Sequence, residues 1–220
     1  MSNGKVSSII AVRAGSKRVP NKNFKKFNEK SLLEYKIETL KAAKNIDEII
    51  INSDSDEAER IALENNVIFQ KRDEEYASDT ISGSDFFKYL STCTTCEYIV
   101  YSPVTSPMIT STKIDELIEE FLSIEGYDSV NTCSLIKEFM WIDEKPLNYS
   151  AENAPNSQDL PDILALNFAF NMIRSTSLFD NKNIVGKKPL LKVIDEMSAV
   201  DIDTPLDFKF AEFLHKEYKI

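Results

Sequence analysis

Apolar positions along the chain follow two alternating rhythms. Residues 6–12, VSSIIAV, are a β-branched apolar run that stops at turn residues, as a buried strand does. Ser31 and Glu34 then stand at capping-box spacing ahead of LLEYKIETLKAAK, which predicts a helix. DEIIINS, VIFQKR and EYIVYS read as further strands. Between and after them DEAERIALENN, residues 81–91 and STKIDELIEEFLS carry helical spacing, the last with Ile114, Leu117, Ile118, Phe121 and Leu122 on one face. Strand–helix alternation with short connections predicts right-handed crossovers and a mainly parallel, covered sheet.

That rhythm breaks after DSVNTCSLI. Residues 137–166 hold Trp141, three prolines and the polar run SAENAPNSQDLPD, which predicts an inserted arm within one domain spanning 1–220. LNFAFNMI and PLLKVID resume as strands. Thr204, with Pro205 at the first helical position, caps a final helix, PLDFKFAEFLHKEY.

A chain of 220 residues can bury one full α/β core. The net charge of −10 and pI near 4.8 argue against nucleic acid and anionic membrane as partners. No run approaches the roughly 18 apolar residues of a membrane span, so a cytoplasmic protein is expected. Cys93 and Cys96 form a C-x-x-C with no second pair, and the one histidine, His215, is distant in sequence. Reduced cysteines are therefore expected, not a zinc or redox centre. His215 reads as a surface residue of the last helix.

Charge placement sharpens the picture. Nine of the 26 Lys and Arg residues lie in the first 36 positions, against two acidic ones. Four of them, Arg13, Lys17, Arg18 and Lys22, follow the first strand, around a Gly15–Ser16 turn. Ligands of open α/β sheets bind outside the carboxyl ends of strands, and turn N–H groups with flanking cations suit a polyphosphate there. The loop is neither a Walker A sequence nor G-x-G-x-x-G. Near the other end, VDIDTPLDF places Asp201 and Asp203 two apart on an extended segment, so both carboxylates share a face and suit Mg²⁺.

The loop resembles the R-x-x-S-K-x-x-P-x-K-N signature of the acylneuraminate cytidylyltransferases, at Arg13, Ser16, Lys17, Pro20, Lys22 and Asn23. NSDSDEAERIA is similar to that family's S-T-D segment with Asp54 in register, and KRDEEYASDT to its R-P-x-x-x-A-x-D region at Arg72, Ala77 and Asp79. Thr105, Ser106 and Pro107 match its P-T-S-P, and VDIDTPLDF its C-terminal D-I-D-T. The resemblance implies a Rossmann-like three-layer α/β/α nucleotidyltransferase fold with an inserted dimerisation arm. It also implies CMP transfer from CTP to an acidic sugar of the sialic-acid-like class, with Mg²⁺ as cofactor and a homodimer as the assembly. The alternatives are a cytidylyltransferase for a non-sialic acceptor, such as another acidic sugar or a phosphonate, and a non-catalytic nucleotide-binding protein that keeps the fold. Carried over by position, the nucleotide would meet Val12, Arg13, Gly15, Ser16, Lys17, Asn23, Arg72, Ser78, Ser82 and Ser84. Arg13, Lys22 and Asp203 would be catalytic, Asp201 and Asp203 would hold the metal, and Thr105, Ser106 and Asn167 would face the acceptor.

Departures cluster on the acceptor side. The family's glutamine before P-T-S-P is Pro103 here, its next proline is Val104, and its following arginine is Ile109. The arginines that hold a sugar carboxylate have no counterpart in PNSQDLPDILALNFAF, leaving Lys137 and Arg174 as substitutes. Phe168 and Phe170 are expected to make the acceptor wall more apolar. N-acetylneuraminic acid is therefore expected to be a poor acceptor.

Overall fold

The computed structural model describes residues 4–15, 19–78 and 80–218. Strand β1 (Val6–Ala11) leads through a small hairpin, β2 (Lys26–Phe27) and β3 (Lys30–Ser31), into helix α1 (Leu32–Ala42). There follow β4 (Glu48–Ser53), α2 (Asp56–Glu64), β5 (Ile68–Lys71), the single turn α3 (Glu74–Ala77), α4 (Gly83–Leu90), β6 (Tyr98–Tyr101), α5 (Ser111–Ser123) and β7 (Ser129–Ile136). A second hairpin, β8 (Trp141–Ile142) and β9 (Lys145–Pro146), precedes β10 (Ile163–Arg174), α6 (Ser175–Asn181), β11 (Pro189–Val193) and α7 (Pro205–Tyr218).

Helix starts follow local chemistry. Ser31 and Glu34 close the expected capping box of α1, while Ser55, Ser82 and Thr110 cap α2, α4 and α5 through their hydroxyls. Each such cap stabilises its helix by about 1 kcal/mol. At α7 the Thr204 hydroxyl accepts the Asp207 N–H at 3.2 Å. The helix expected over 81–91 is α4, trimmed at both ends. Helix α6 has weak apolar periodicity and was not foreseen.

The main sheet has seven strands in the order β11-β7-β10-β6-β1-β4-β5. Every neighbouring pair is parallel except those made by β10, which runs antiparallel to both β6 and β7. Strand side chains alternate between two cores. Ile10, Ile51, Val100 and Met172 pack with residues of α1, α2, α5 and α7. Ile9, Ile50, Ile99 and Ile173 face the other way, with Leu90 of α4 and Leu178 of α6. The result is the three-layer α/β/α arrangement expected. Among the described residues no helix is long and apolar enough to cross a membrane. All three cysteines are free thiols.

Two sequence expectations are corrected here. His215 is buried, 6 % exposed, with its ring edge-on to Tyr35 and Phe27. On α7 it shares an inward face with Phe208 and Ala211, whereas Phe210 and Phe213 point outward. Phe170 is also buried, in the core and not on an acceptor wall, while Phe168 is exposed and has φ of 54°. The pairing of β10 with β7 jumps between Leu166 and Asn171, so residues 167–170 form a wide bulge. Thr132 stitches this bulge by accepting the Phe170 N–H at 2.9 Å. The final residues of the 137–166 segment, 163–166, already belong to β10.

Candidate nucleotide-transfer site

Successive connections leave β1 toward β4 on one side and return to β6 on the other, so the order reverses between β1 and β6. A crevice opens at the carboxyl ends of strands where this happens. The loop after β1 enters it directly. Gly15 has φ of 79°, the left-handed region that glycine adopts without strain, and among the described residues no heavy atom lies near where its Cβ would stand. The Ala14 N–H donates to the Asp54 carboxylate at 3.0 Å, and the Asn23 amide donates to the Arg13 carbonyl at 3.2 Å. Val12 is buried and its N–H donates to the Asn52 carbonyl. Asp54 and Asn23 therefore both hold the loop at adjacent residues. Ser16 and Lys17, expected at the phosphates, lie outside the described residues, as do Arg18 and Asp79.

Beside this loop is a cavity of about 340 Å³ lined by Arg13, Arg72, Tyr76, Ser78, Ser82 and Tyr101 among others. Of the polar residues expected around the nucleotide, Arg13, Arg72, Ser78 and Ser82 thus converge, whereas exposed Ser84 is not part of the lining. Arg72 is buried, with its guanidinium over the Phe86 ring and 5.0 Å from its centroid. Burial pushes its pKa down from the usual value, yet a guanidinium remains a cation in any protein. Sequence reasoning passed over Tyr76, Phe86 and Tyr101, whose aromatic spacing there is indistinguishable from core packing.

The carboxylate pair approaches from the loop before α7. Ile202 is buried between Asp201 and Asp203, both of which are more open to solvent. Residues 201–203 lie in a loop outside the named strands. Burial raises the Asp201 pKa, and the neighbouring charge of Asp203 pushes the same way, partly countered by the Thr105 hydroxyl and by Lys22. Lys22 donates to the Ile202 carbonyl at 2.5 Å. Burial raises the Tyr101 hydroxyl pKa. The bond from Lys22 to Ile202, one residue along from the bond of Asn23 to the Arg13 carbonyl, ties the loop that carries the acid pair to the loop after β1. Two carboxylates beside a crevice that holds Arg13 and Lys22 are a hard-oxygen donor set that suits Mg²⁺, an ion that takes its other ligands from water and substrate. Among the described residues no cluster of three or more His, Cys, Asp or Glu side chains could hold a metal by itself.

The acceptor side is less as expected. Thr105 is half-buried, and its carbonyl accepts the Ile202 N–H at 2.9 Å, so it ties the P-T-S-P loop to the acid pair. Ser106 is 1 % exposed with its hydroxyl sealed in, and its carbonyl accepts from the buried Lys36 ammonium at 2.8 Å. Desolvation brings that ammonium down to a pKa of about 7. Asn167 spends its amide on the bulge, accepting from the Ala169 N–H and donating to the Ser134 hydroxyl. Arg174 cannot replace a lost acceptor arginine. It pairs with Tyr98 at the amino end of β6, opposite the crevice, and forms an ion pair with Glu97. Lys137 stays on the crevice side but is engaged by Asp162 at 2.6 Å and by the Leu160 carbonyl.

Comparison with known proteins agrees with this geometry. Residues 8–159 match the family model described as cytidylyltransferase. Post-translational flagellin modification protein B of Campylobacter coli is 29 % identical over 227 aligned positions, which cover 94 % of each chain. N-acylneuraminate cytidylyltransferase of Escherichia coli O18:K1:H7 is 28 % identical over 94 % of this chain and 51 % of that protein. Among solved structures, CMP:2-keto-3-deoxy-manno-octonic acid synthetase complexed with CTP superposes with a TM-score of 0.70 over 97 % of this chain and 99 % of that one, at 13 % identity. That last likeness is one of fold. With more than two thirds of its length matched by the family model, the chain belongs to the cytidylyltransferase family.

Proposed function

We propose that this cytidylyltransferase transfers CMP from CTP to an acidic sugar of the nonulosonic class, the group that includes sialic, legionaminic and pseudaminic acids. The observation that carries this reading is the pair of neighbouring bonds, Asn23 to the Arg13 carbonyl and Lys22 to the Ile202 carbonyl, which join the loop of the Arg13–Arg72 cavity to the loop of Asp201 and Asp203. CTP would place its base in the cavity and its phosphates over the loop after β1. A hydroxyl oxygen of the sugar then bonds to the α-phosphorus as the bond from that phosphorus to the bridging oxygen breaks. Pyrophosphate departs with the bond electrons, and the hydroxyl proton is lost. Positioning and charge stabilisation account for most of such a reaction. Arg13 is the residue to meet charge growing on the α-phosphate. Lys22, fixed on the Ile202 carbonyl, is the cation placed between loop and acid pair. Asp201 and Asp203 would hold Mg²⁺, which when bound neutralises phosphate charge and orients the pyrophosphate leaving group.

The acceptor would enter between the P-T-S-P loop, the bulge at Asn167 and the arm. With Lys137 tied to Asp162 and Arg174 at the far end of the sheet, no arginine among the described residues of the arm and the P-T-S-P loop offers the bidentate clamp that a sialic acid carboxylate favours. N-acetylneuraminic acid would therefore be a poor acceptor, and another acidic sugar the natural one. Supply of CTP fits a cytoplasmic location, and the exposed aromatic arm fits a homodimer. Steady-state rates with CTP and a panel of acidic sugars test the acceptor reading. Turnover with N-acetylneuraminic acid at least about tenfold below another member supports it, and N-acetylneuraminic acid as the best substrate overturns it.

A further inference from the structure

Arg72 sits at the inner wall of the cavity, yet its position is not set by a carboxylate. Two of its N–H groups point away from the cavity onto a single residue. Its Nε donates to the Asn52 side-chain oxygen and its Nη2 to the Asn52 backbone carbonyl, each at 2.7 Å. Asn52 lies near the end of β4, fully buried between the apolar Ile51 and the buried Ser53. Its amide orientation is decided by its surroundings. The Nδ2 group donates to the Tyr89 hydroxyl at 2.8 Å and to the Gln70 side-chain oxygen at 3.2 Å, so the oxygen must face Arg72. A flipped amide would set N–H against N–H. Tyr89 is in turn fixed by stacking on Tyr76, with ring centroids 4.0 Å apart and planes 10° apart. Tyr76 itself lines the cavity.

We propose that Asn52, held by Tyr89 and Gln70, is a positioning residue that presets Arg72 for the pyrimidine base of the nucleotide. The proposal rests on the reading that Arg72 meets the base. The chemistry is specific: two guanidinium donors are consumed by Asn52, the ring of Phe86 covers one face, and the remaining donors are left to a carbonyl acceptor in the cavity. A neutral amide does this without neutralising the cation, whereas a buried carboxylate would pair with it. Preorganisation of this kind raises affinity by removing the ordering that binding would otherwise require.

The test is calorimetric titration of the full chain with CTP and, separately, with inorganic tripolyphosphate, which has no base. Asn52→Leu should weaken CTP by roughly tenfold or more and leave tripolyphosphate unchanged, and Asn52→Asp, which loses the amide donors to Tyr89 and Gln70 and sets a carboxylate against Arg72, should weaken CTP as well. Tyr89→Phe removes only the hydroxyl that holds the amide, and should weaken CTP by a smaller factor if Asn52→Leu fails to fold. Equal losses for CTP and tripolyphosphate would mean general distortion and overturn the proposal. Parent-like CTP binding by Asn52→Leu, or by Tyr89→Phe as the substitute, would overturn it too. Arg72→Met separates the two ideas. If it weakens CTP while Asn52→Leu does not, only the positioning role fails; if it binds CTP normally, the base reading fails and the proposal with it.

Discussion

The Lys22 ammonium and the backbone carbonyl of Ile202 meet at 2.5 Å, although 180 residues separate them in sequence. This bond links the basic loop near the start of the chain to the acid pair near its end. Lys22→Met should therefore loosen the acid pair as well as remove a cation. Leaving that buried carbonyl unmatched costs about 1–3 kcal/mol, so the unfolding midpoint should fall, and turnover should fall by roughly tenfold or more. Parent-like turnover in Lys22→Met would mean that the link has no catalytic consequence.

Asp201 presents stability and activity as opposing demands. Its folded-state pKa is raised by burial and by Asp203, so the native state binds this proton more tightly than the unfolded chain does. The resulting stabilisation is present at acid pH and is lost as pH rises through the folded pKa. At neutral pH the ionised group is thus a burden on the metal-free fold. Asp201→Asn should keep or raise the thermal midpoint at pH 7.5 while turnover falls about a hundredfold or more. A lowered midpoint with normal turnover would reverse both inferences.

His215 gives the opposite sign. Burial lowers its pKa below that of the unfolded chain, so its neutral form is the one the fold accepts. Its contribution is intact above the unfolded value near 6.5 and is lost as pH falls through the lower folded one. Thermal midpoints at pH 7.5 and 5.5 should differ more in the parent than in His215→Phe, whose ring can pack on Phe27 and Tyr35. An equal acid loss in both would assign the pH dependence to other groups.

The reading of His215 shows where the sequence stopped being informative. Strand positions were legible because β-branched runs such as VSSIIAV bury both faces, and helix starts were legible because Ser31 and Thr110 state their caps locally. On α7, hydropathy favours the face with Phe210 and Phe213, but the sheet takes Phe208, Ala211 and His215 instead. Only the placement of α7 against Phe27 and α1 decides that choice. The site divides in the same way. Arg13, Arg72 and the acid pair follow from motif spacing, whereas the inward turn of Ser106, the commitment of Asn167 to its bulge and the remoteness of Arg174 depend on strand direction and register.

The arm exposes Trp141, 57 % accessible, next to Ile142 and Leu147, with Tyr149 edge-on to both Phe139 and Trp141. So much uncovered aromatic surface fits an interface with a second copy. Light scattering at micromolar concentration should give twice the 25.0 kDa chain mass, and Trp141→Ser should shift the population toward monomer. Because the chain has one tryptophan, its emission should also move to longer wavelength on dilution. A monomeric parent would remove the arm from the assembly.

The central claim, that the crevice between β1 and β6 is a cytidylyl-transfer site, is tested most directly by nucleotide selectivity. Pyrophosphate release should be measured with each of CTP, UTP, ATP and GTP, in the presence of Mg²⁺ and a mixture of acidic nonulosonic sugars, alongside Arg13→Ala. The account predicts release from CTP well above that from the other three, and loss of most of it in Arg13→Ala. Equal release from ATP and CTP, or a rate indifferent to Arg13, would contradict it.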